Sequence, residues 1–140
     1  MLTKSLSRNP VWYLLAVIAT IAVGLATRRF PAFVPDFLGK YPGDALWALM
    51  VFLGWGIIFP VATRVRVAAL ALAASYSVEV LKLCQAPWLV DIRQTTLGHL
   101  VFGHIFSWQN FIAYAFGVTL GLTAEYFFLR PRHRHASPDE

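Results

Sequence analysis

Three ionisable residues inside an otherwise apolar stretch are the strongest candidates for chemistry. Glu79 and Lys82 are one helical turn apart near the end of an apolar segment, and Arg93 follows shortly after a Pro87-Trp88 break. Charged groups are costly at membrane depth, so their presence there marks a functional site by default. The carboxyl of Glu79 could exchange protons or bind a polar head group, or it could form a structural ion pair with Lys82.

A second polar set follows a helical spacing nearer the C-terminus, with steps of three or four residues that place its members on one helix face. Its members are Asn110, Tyr114, Gly117, Gly121 and Glu125. Gly117 and Gly121 form a GxxxG pair, which permits close helix packing and also arises often by chance. We expect Asn110 and Tyr114 to face Glu79.

The segment after the third apolar stretch could hold an anion. Arg93, with Thr95, Thr96 and the free N–H groups of a following helix start, would make an anion-binding cradle. The alternative is an ion pair of Arg93 with Asp91 or Glu79.

Asp44 and His99 complete the candidate ligand-binding set. Asp44 stands at the start of a predicted helix, where it could cap the N-terminus or join the polar cluster. His99 could carry protons beside Glu79 or pack as a hydrogen-bonded histidine. The five-residue spacing of His99 and His104 is poor for one metal ion, and Cys84 is the single cysteine. We therefore predict no metal and no cofactor, and no catalytic nucleophile is identifiable.

Composition indicates an integral membrane protein. The chain has 140 residues, of which 58% are hydrophobic and 14% charged, and its mean hydropathy is +0.59. The net charge of +5 is spread over loops and tails without interleaved aromatic residues, which argues against nucleic-acid binding. The first apolar segment resembles a signal peptide, but it runs into Arg28-Arg29 and further apolar segments follow, so we expect a retained helix.

The predicted fold is all-α and polytopic. Four segments are long enough to cross a bilayer core of about 30 Å: residues 11–27, 44–63, 65–83 and 110–129. Residues 95–106 are apolar but short, which favours a re-entrant or interfacial helix over a crossing, although the sequence leaves this open. Residues 1–130 would form one membrane domain, and 131–140 a disordered cytoplasmic tail.

The distribution of basic residues predicts the orientation. Four crossings put seven lysines and arginines on the side of both termini and four on the other. The positive-inside rule therefore predicts cytoplasmic termini in a bacterial inner membrane, with Glu79 and Arg93 toward the outer leaflet. Trp12, Trp47, Trp88 and Trp108, near the ends of the predicted segments, are expected interfacial anchors.

The sequence resembles a bacterial inner-membrane family of unknown function, which is distantly similar to VanZ-like proteins. The residues that carry the resemblance are Gly39-Lys40, Gly43 to Ala48, Glu79, Ala86-Pro87-Trp88, Ile92-Arg93, Thr96 to Leu100, Gly103, Phe106-Ser107-Trp108, Tyr114 and Gly117. VanZ-like proteins also pair a membrane glutamate with a later arginine and are associated with glycopeptide resistance. Against the family pattern, Lys82 replaces a glutamine, Cys84 a tyrosine and Asn110 an aspartate.

Three functions remain open at this stage. The first is a polar pocket in the outer leaflet that binds an anionic lipid or a lipid-linked cell-envelope intermediate, through Glu79, Arg93 and Asn110. The second is a membrane enzyme that uses Glu79 as general acid or base. The third is a non-catalytic subunit, or a homo-oligomer, that packs through small-residue stripes such as Ala16-Thr20-Gly24. The sequence does not identify the ligand or the oligomeric state.

Overall fold

Prolines mark several helix limits in the computed structural model, which describes residues 6–103, 105–127 and 132–133. Pro10, Pro42 and Pro87 each lie in a first helical turn, where the missing N–H costs no hydrogen bond. Pro31 and Pro60 follow helix ends, because proline cannot continue the hydrogen-bond pattern of a helix interior.

The described residues form six α-helices, a 3₁₀ turn and one very short strand pair. The elements are α1 (Pro10–Arg29), the 3₁₀ turn (Pro31–Phe33), α2 (Tyr41–Ile58), α3 (Arg64–Leu81), α4 (Pro87–Gln94), α5 (Thr96–Phe102), α6 (Trp108–Phe127), and the strands β1 (Leu6–Ser7) and β2 (Arg132–His133). The two strands pair antiparallel, with Leu6 opposite His133. Apart from this two-residue pairing, the predicted all-helical fold is confirmed for the described residues.

Helix α2 lies at the centre and packs against α1, α3 and α6, while α3 also packs on α6. The apolar core between these four helices includes Tyr13, Phe52, Val67, Ala71 and Val118. The shorter helices α4 and α5 pack against each other, and α5 reaches α3. The core therefore belongs to the four long helices, and the short ones cover one end of them.

The two ends of the bundle are named here after their buried glutamates. At the Glu79 end lie the last turns of α1 and α3, the first turns of α2 and α6, and the short helices α4 and α5. At the Glu125 end lie the first turns of α1 and α3 and the last turns of α2 and α6. The chain enters and leaves the four-helix bundle at the Glu125 end.

Each predicted long segment overlaps a helix, but the limits differ. The predicted 44–63 is helical over Tyr41–Ile58, because Pro42 is tolerated in the first turn and Pro60 ends the helix early. The segments 11–27, 65–83 and 110–129 correspond to α1, α3 and α6, although residues 128 and 129 lie outside the described residues. The predicted tail, 131–140, also lies outside them except for 132–133.

A short helix lies within the segment 95–106, as predicted, but its limits are narrower than that segment. Helix α5 covers only Thr96–Phe102 and ends at Gly103, whose φ of +62° is a left-handed conformation that favours glycine. Seven residues of helix span about 10 Å, so this helix is too short to cross a bilayer. Helix α4 was not predicted, because it has only eight residues and three of them are polar or charged.

Helices α1 and α2 are long and apolar enough to cross a membrane, with mean hydropathies of 1.9 and 1.3 over an 18-residue stretch of each helix. Helices α3 and α6 have 18 and 20 residues. They are not among the helices of the described residues that meet this criterion; α3 contains three charged residues and α6 several polar ones. Core helices of soluble proteins and signal sequences can pass this test, so two such helices are weak evidence for a membrane.

Candidate functional site

A fully buried carboxylate forms the centre of the candidate site. Glu79 is 0% exposed and lies in the last turns of α3. Its Oε2 accepts hydrogen bonds from the Lys82 ammonium at 2.6 Å and from the Tyr114 hydroxyl at 2.7 Å. Its Oε1 accepts from the Asn110 amide at 3.0 Å and from the backbone N–H of Ser107 at 2.8 Å. Four donors therefore engage both oxygens of this carboxylate.

The predicted meeting of Asn110 and Tyr114 with Glu79 is confirmed. Three of the four donors come from α6 and the turn before it, where Ser107, Asn110 and Tyr114 stand at helical spacing. The indole of Trp47 packs on Tyr114, with 5.8 Å between ring centroids, and fixes the phenol toward the carboxylate. Trp47 therefore lies half-buried inside the bundle, which corrects its interpretation as an interfacial anchor.

The predicted ion pair of Glu79 with Lys82 is also present, and it is buried. Lys82 is 7% exposed and its aliphatic chain runs beneath Gly103, where an added Cβ would lie 3.1 Å from the Lys82 Cε. Glycine at position 103 therefore permits both the left-handed backbone conformation and the close approach of the Lys82 side chain. The pairing offsets the cost of burying either charge alone.

The structure corrects the role predicted for Arg93. Its guanidinium donates to the backbone carbonyls of Leu81 and Cys84, the latter at 2.9 Å, and so caps the C-terminal end of α3. The neighbouring Thr95 is the N-cap of α5, where its hydroxyl accepts from Gly98 N–H at 3.0 Å. Because these groups are used in capping, the predicted anion cradle does not form and Arg93 does not pair with Glu79.

Asp44 and His99 line a cleft of about 500 Å³ beside the Glu79 cluster. The cleft lies between the end of α1, the linker to α2, the start of α2 and the segment after α5. Lys82 forms part of its wall, together with Arg28 and Lys40. The described part of the cleft wall thus carries three cationic side chains, one carboxylate and one imidazole.

The capping role considered for Asp44 is not observed. The N-cap of α2 is Lys40, without a side-chain hydrogen bond to the helix start, and Asp44 is the fourth residue of the helix. The Oδ2 atom of Asp44 is buried and makes no hydrogen bond within the described part of the chain.

An apolar groove of about 310 Å³ adjoins the cleft and shares Arg28 and Gly43 with it. The groove lies between α1, α2 and α5. Its apolar lining includes Ile21, Leu25, Leu46, Met50 and Leu100.

A second buried charge cluster lies at the Glu125 end, which sequence reasoning missed. Arg8 pairs with Glu125 at 2.8 Å and also donates to the carbonyl of Ala62 at 2.6 Å, so it binds the loop after α2 to α6. Tyr13 packs against this pair and is 1% exposed. Glu125 was noted only as part of a helical stripe, and the basic residues before the first helix were only counted for the orientation. No local pattern links residues so far apart in the chain.

The small-residue stripes are used inside the bundle. An added Cβ on Gly117 would overlap the backbone carbonyl of Ala45 in α2, and one on Gly121 would lie 2.5 Å from the Phe52 ring. On α1, Thr20 is buried and Gly24 faces Leu46 of α2. Packing is therefore the role of the GxxxG pair, and its partner is α2.

Among the described residues, no group of three or more His, Cys, Asp or Glu side chains is arranged to hold a metal ion. His104 lies outside the described residues. The exposed Cys84 is the only cysteine in the sequence, so no disulfide can form within the chain.

The fold and the site define a small helical-bundle protein with a carboxylate-centred polar cluster next to a basic cleft. The chain belongs to the family described as "Protein of unknown function (DUF2809)", whose pattern matches residues 33–118. This match includes the Glu79 cluster, Asp44 and most of the cleft. No solved structure matches the chain.

Proposed function

We propose that this protein is a polytopic inner-membrane protein that binds an amphiphile, with the head group in the basic cleft and an acyl chain in the adjoining groove. The observation that carries the proposal is that the two cavities adjoin and share Arg28 and Gly43 in their walls. A polar cleft bordered by Arg28, Lys40 and Lys82 meets an apolar groove at Arg28 and Gly43. A ligand that fits both must have a charged end and an apolar end.

The distribution of side chains supports a membrane environment. On α6 the buried face is largely small or polar, whereas the exposed face carries large apolar side chains. The buried residues include Asn110, Gly117, Gly121 and Glu125, and the exposed ones include Ile112, Phe116, Leu120 and Phe127. A soluble bundle gains stability by burying its largest apolar residues, but helices in lipid pack through small and polar ones. The α6 pattern favours lipid.

Helix α1 supports the same conclusion. Its exposed side carries a continuous set of large apolar residues, and only Tyr13 and Thr20 are buried along its length. Trp12, Trp88 and Trp108 are exposed near helix ends, as expected for side chains at membrane interfaces. With α3 and α6 also crossing, the count of basic residues made from the sequence, seven on the side of both termini against four on the other, orients the Glu125 end toward the cytoplasm. The cleft then opens toward the outer leaflet.

In this proposal Glu79 has a positioning role. Its carboxylate fixes the Lys82 ammonium at the cleft wall through a 2.6 Å hydrogen bond. A general acid or base must exchange a proton with a substrate, but all four contacts of Glu79 are made by the protein itself. The resemblance to VanZ-like proteins is compatible with a ligand from the cell envelope.

Lipid retention tests the proposal. We expect Arg28→Gln to lower the amount of phospholipid that co-purifies with the protein, measured by native mass spectrometry from dodecylmaltoside, because Arg28 lies where the cleft and groove meet. Gly24→Leu should also lower it by filling the groove. The matched control is Arg29→Gln, which removes the same charge from a neighbouring residue outside both cavities. Equal lipid retention in all three variants and the unaltered protein would contradict the proposal.

A further inference from the structure

The linker between α1 and α2 displays two phenylalanines on a repeated turn. Each repeat consists of proline, one variable residue and phenylalanine, at 31–33 and 35–37, and in each the N–H that follows the phenylalanine donates to the proline carbonyl at 3.0 Å. Phe33 and Phe37 are 86% and 83% exposed, more than any other large apolar side chain of the described residues. Because proline fixes its φ angle, each turn holds its ring outside the bundle at a reduced entropic cost.

Exposed rings held in this way indicate a surface that contacts apolar material. Phe33 packs edge to face on Phe30, with 6.3 Å between ring centroids, but Phe30 is itself 54% exposed. Within the described part of the chain, no element covers this aromatic surface.

Charge identifies the contacted material as a phospholipid surface. Arg28, Arg29 and Lys40 flank the two turns, and Asp36 is the one acidic residue between them. The segment stays positive even when Asp44, which lies within electrostatic range of Arg28 and Lys40, is included. Aromatic rings with flanking cations suit the boundary of a bilayer, where apolar chains lie beneath anionic phosphates.

The length of α1 places the turns at that boundary. Its 20 residues span about 30 Å, the thickness of a bilayer core, so a crossing α1 ends at the edge of the hydrocarbon. Irregular backbone does not occur in lipid-exposed hydrocarbon, so the linker backbone would lie in the interface and its rings would reach the acyl chains. Trp88 and Trp108, at the same end of the bundle, are also exposed.

We propose that residues 30–38 form an anchor in the interface of the outer leaflet, with both rings inserted among the acyl chains and Arg29 at the level of the phosphates. The anchor rests on the membrane placement in the proposed function, but not on the ligand proposed there. Pro31, Gly39 and Lys40 of the same linker line the cleft. The anchor therefore holds the mouth of the cleft at the level of the lipid head groups.

The depth of spin labels tests the anchor. In a Cys84→Ser background, a nitroxide on Phe33→Cys or Phe37→Cys of the full-length protein would be measured by power-saturation EPR in nanodiscs of phosphatidylethanolamine and phosphatidylglycerol. We expect both labels to collide more often with oxygen, which concentrates in lipid, than with a water-soluble nickel chelate. The matched control is Asp36→Cys in the second turn, where the native carboxylate is exposed and its charge favours water. At this position nickel collisions should exceed oxygen collisions.

Two results would overturn the anchor. One is a predominance of nickel collisions at both phenylalanine positions. The other is dipolar broadening between labels that disappears on dilution with unlabelled protein, which would assign the rings to a second copy of the chain. Because the labels replace the rings, para-fluorophenylalanine at positions 33 and 37 provides a second measurement with the rings retained, by fluorine NMR relaxation with the same two agents.

Failure of the anchor is distinguishable from failure of the proposed function. If the labels lie in water while lipid retention remains sensitive to Arg28→Gln, the anchor alone is overturned. If the labels lie in lipid but retention is unaffected by Arg28→Gln and Gly24→Leu, the anchor stands and the proposed ligand binding is overturned. A protein that does not insert into nanodiscs would overturn both.

Discussion

The buried pair of Glu79 and Lys82 should show strong energetic coupling. Glu79→Gln removes the negative charge but leaves the 7% exposed ammonium of Lys82 in place. Breaking one side of a buried ion pair typically costs about 3–5 kcal/mol. If the amide nitrogen of the new side chain took the place of Oε2, it would also face the donors that now bind Oε2, and an amide nitrogen cannot accept their hydrogen bonds. We therefore expect a loss of about 3–5 kcal/mol in the free energy of unfolding.

The partner substitution should cost less. Lys82→Met removes one of four donors, and Glu79 keeps the hydrogen bonds from Ser107, Asn110 and Tyr114. Loss of one hydrogen bond to a charged group suggests a cost of about 1.5–3 kcal/mol. In the double variant neither charge remains, so its destabilisation should be smaller than the sum of the two single effects by about 1–3 kcal/mol.

Equilibrium unfolding in mixed micelles of dodecylmaltoside and sodium dodecyl sulfate, followed by tryptophan fluorescence, would measure this cycle. The control is Arg8→Met, which alters the cluster at the other end of the bundle. Combined with Glu79→Gln, it should give additive effects within about 0.5 kcal/mol, because the two sites share no contacts. A loss below 1 kcal/mol for Glu79→Gln, or additivity between Glu79→Gln and Lys82→Met, would refute the assignment of a buried, charge-paired carboxylate.

Two further predictions concern helix packing and orientation. Gly117→Ala should destabilise the bundle by about 1–3 kcal/mol through overlap with the Ala45 carbonyl, whereas Gly54→Ala, with open space around it, should be neutral or stabilising in the same unfolding assay. Equal stability of the two variants would contradict the close approach of α6 to α2. The single Cys84 should react with a membrane-impermeant maleimide in intact cells. A cysteine at Val61, in a Cys84→Ser background, should react only after permeabilisation, and the reverse pattern would contradict the proposed orientation.

The sequence was informative where local spacing determines the outcome. Steps of three and four residues on α3 and α6 place Glu79, Asn110 and Tyr114 on facing surfaces, and the hydrogen bonds at 2.7 and 3.0 Å follow from that arrangement. The adjacency of Glu79 and Lys82 on one helix predicted their pairing. Prolines and apolar composition located the four long helices to within a few residues.

Tertiary contacts between distant segments were less predictable. A guanidinium can bind a carboxylate, a phosphate or a carbonyl, and only the fold shows that Arg93 caps α3. The pairing of Arg8 with Glu125 joins opposite ends of the chain, so no periodicity could indicate it. Ser107 contacts Glu79 through its backbone N–H. Every residue except proline has this group, so the residue type at 107 could not indicate the contact.

The positions of the two glutamates argue for a binding site at one end of the bundle rather than a pathway through it. Between the Glu79 and Glu125 clusters the core includes Phe52, Ala71 and Val118, each at most 2% exposed. Such a packed apolar layer has no polar groups to conduct an ion or a charged head group. Under the proposed function an amphiphile would enter sideways, because the groove between α1, α2 and α5 is bordered by the apolar outer face of α1. During lateral entry the acyl chain would stay in an apolar environment. Only the head group would move from water into the cleft.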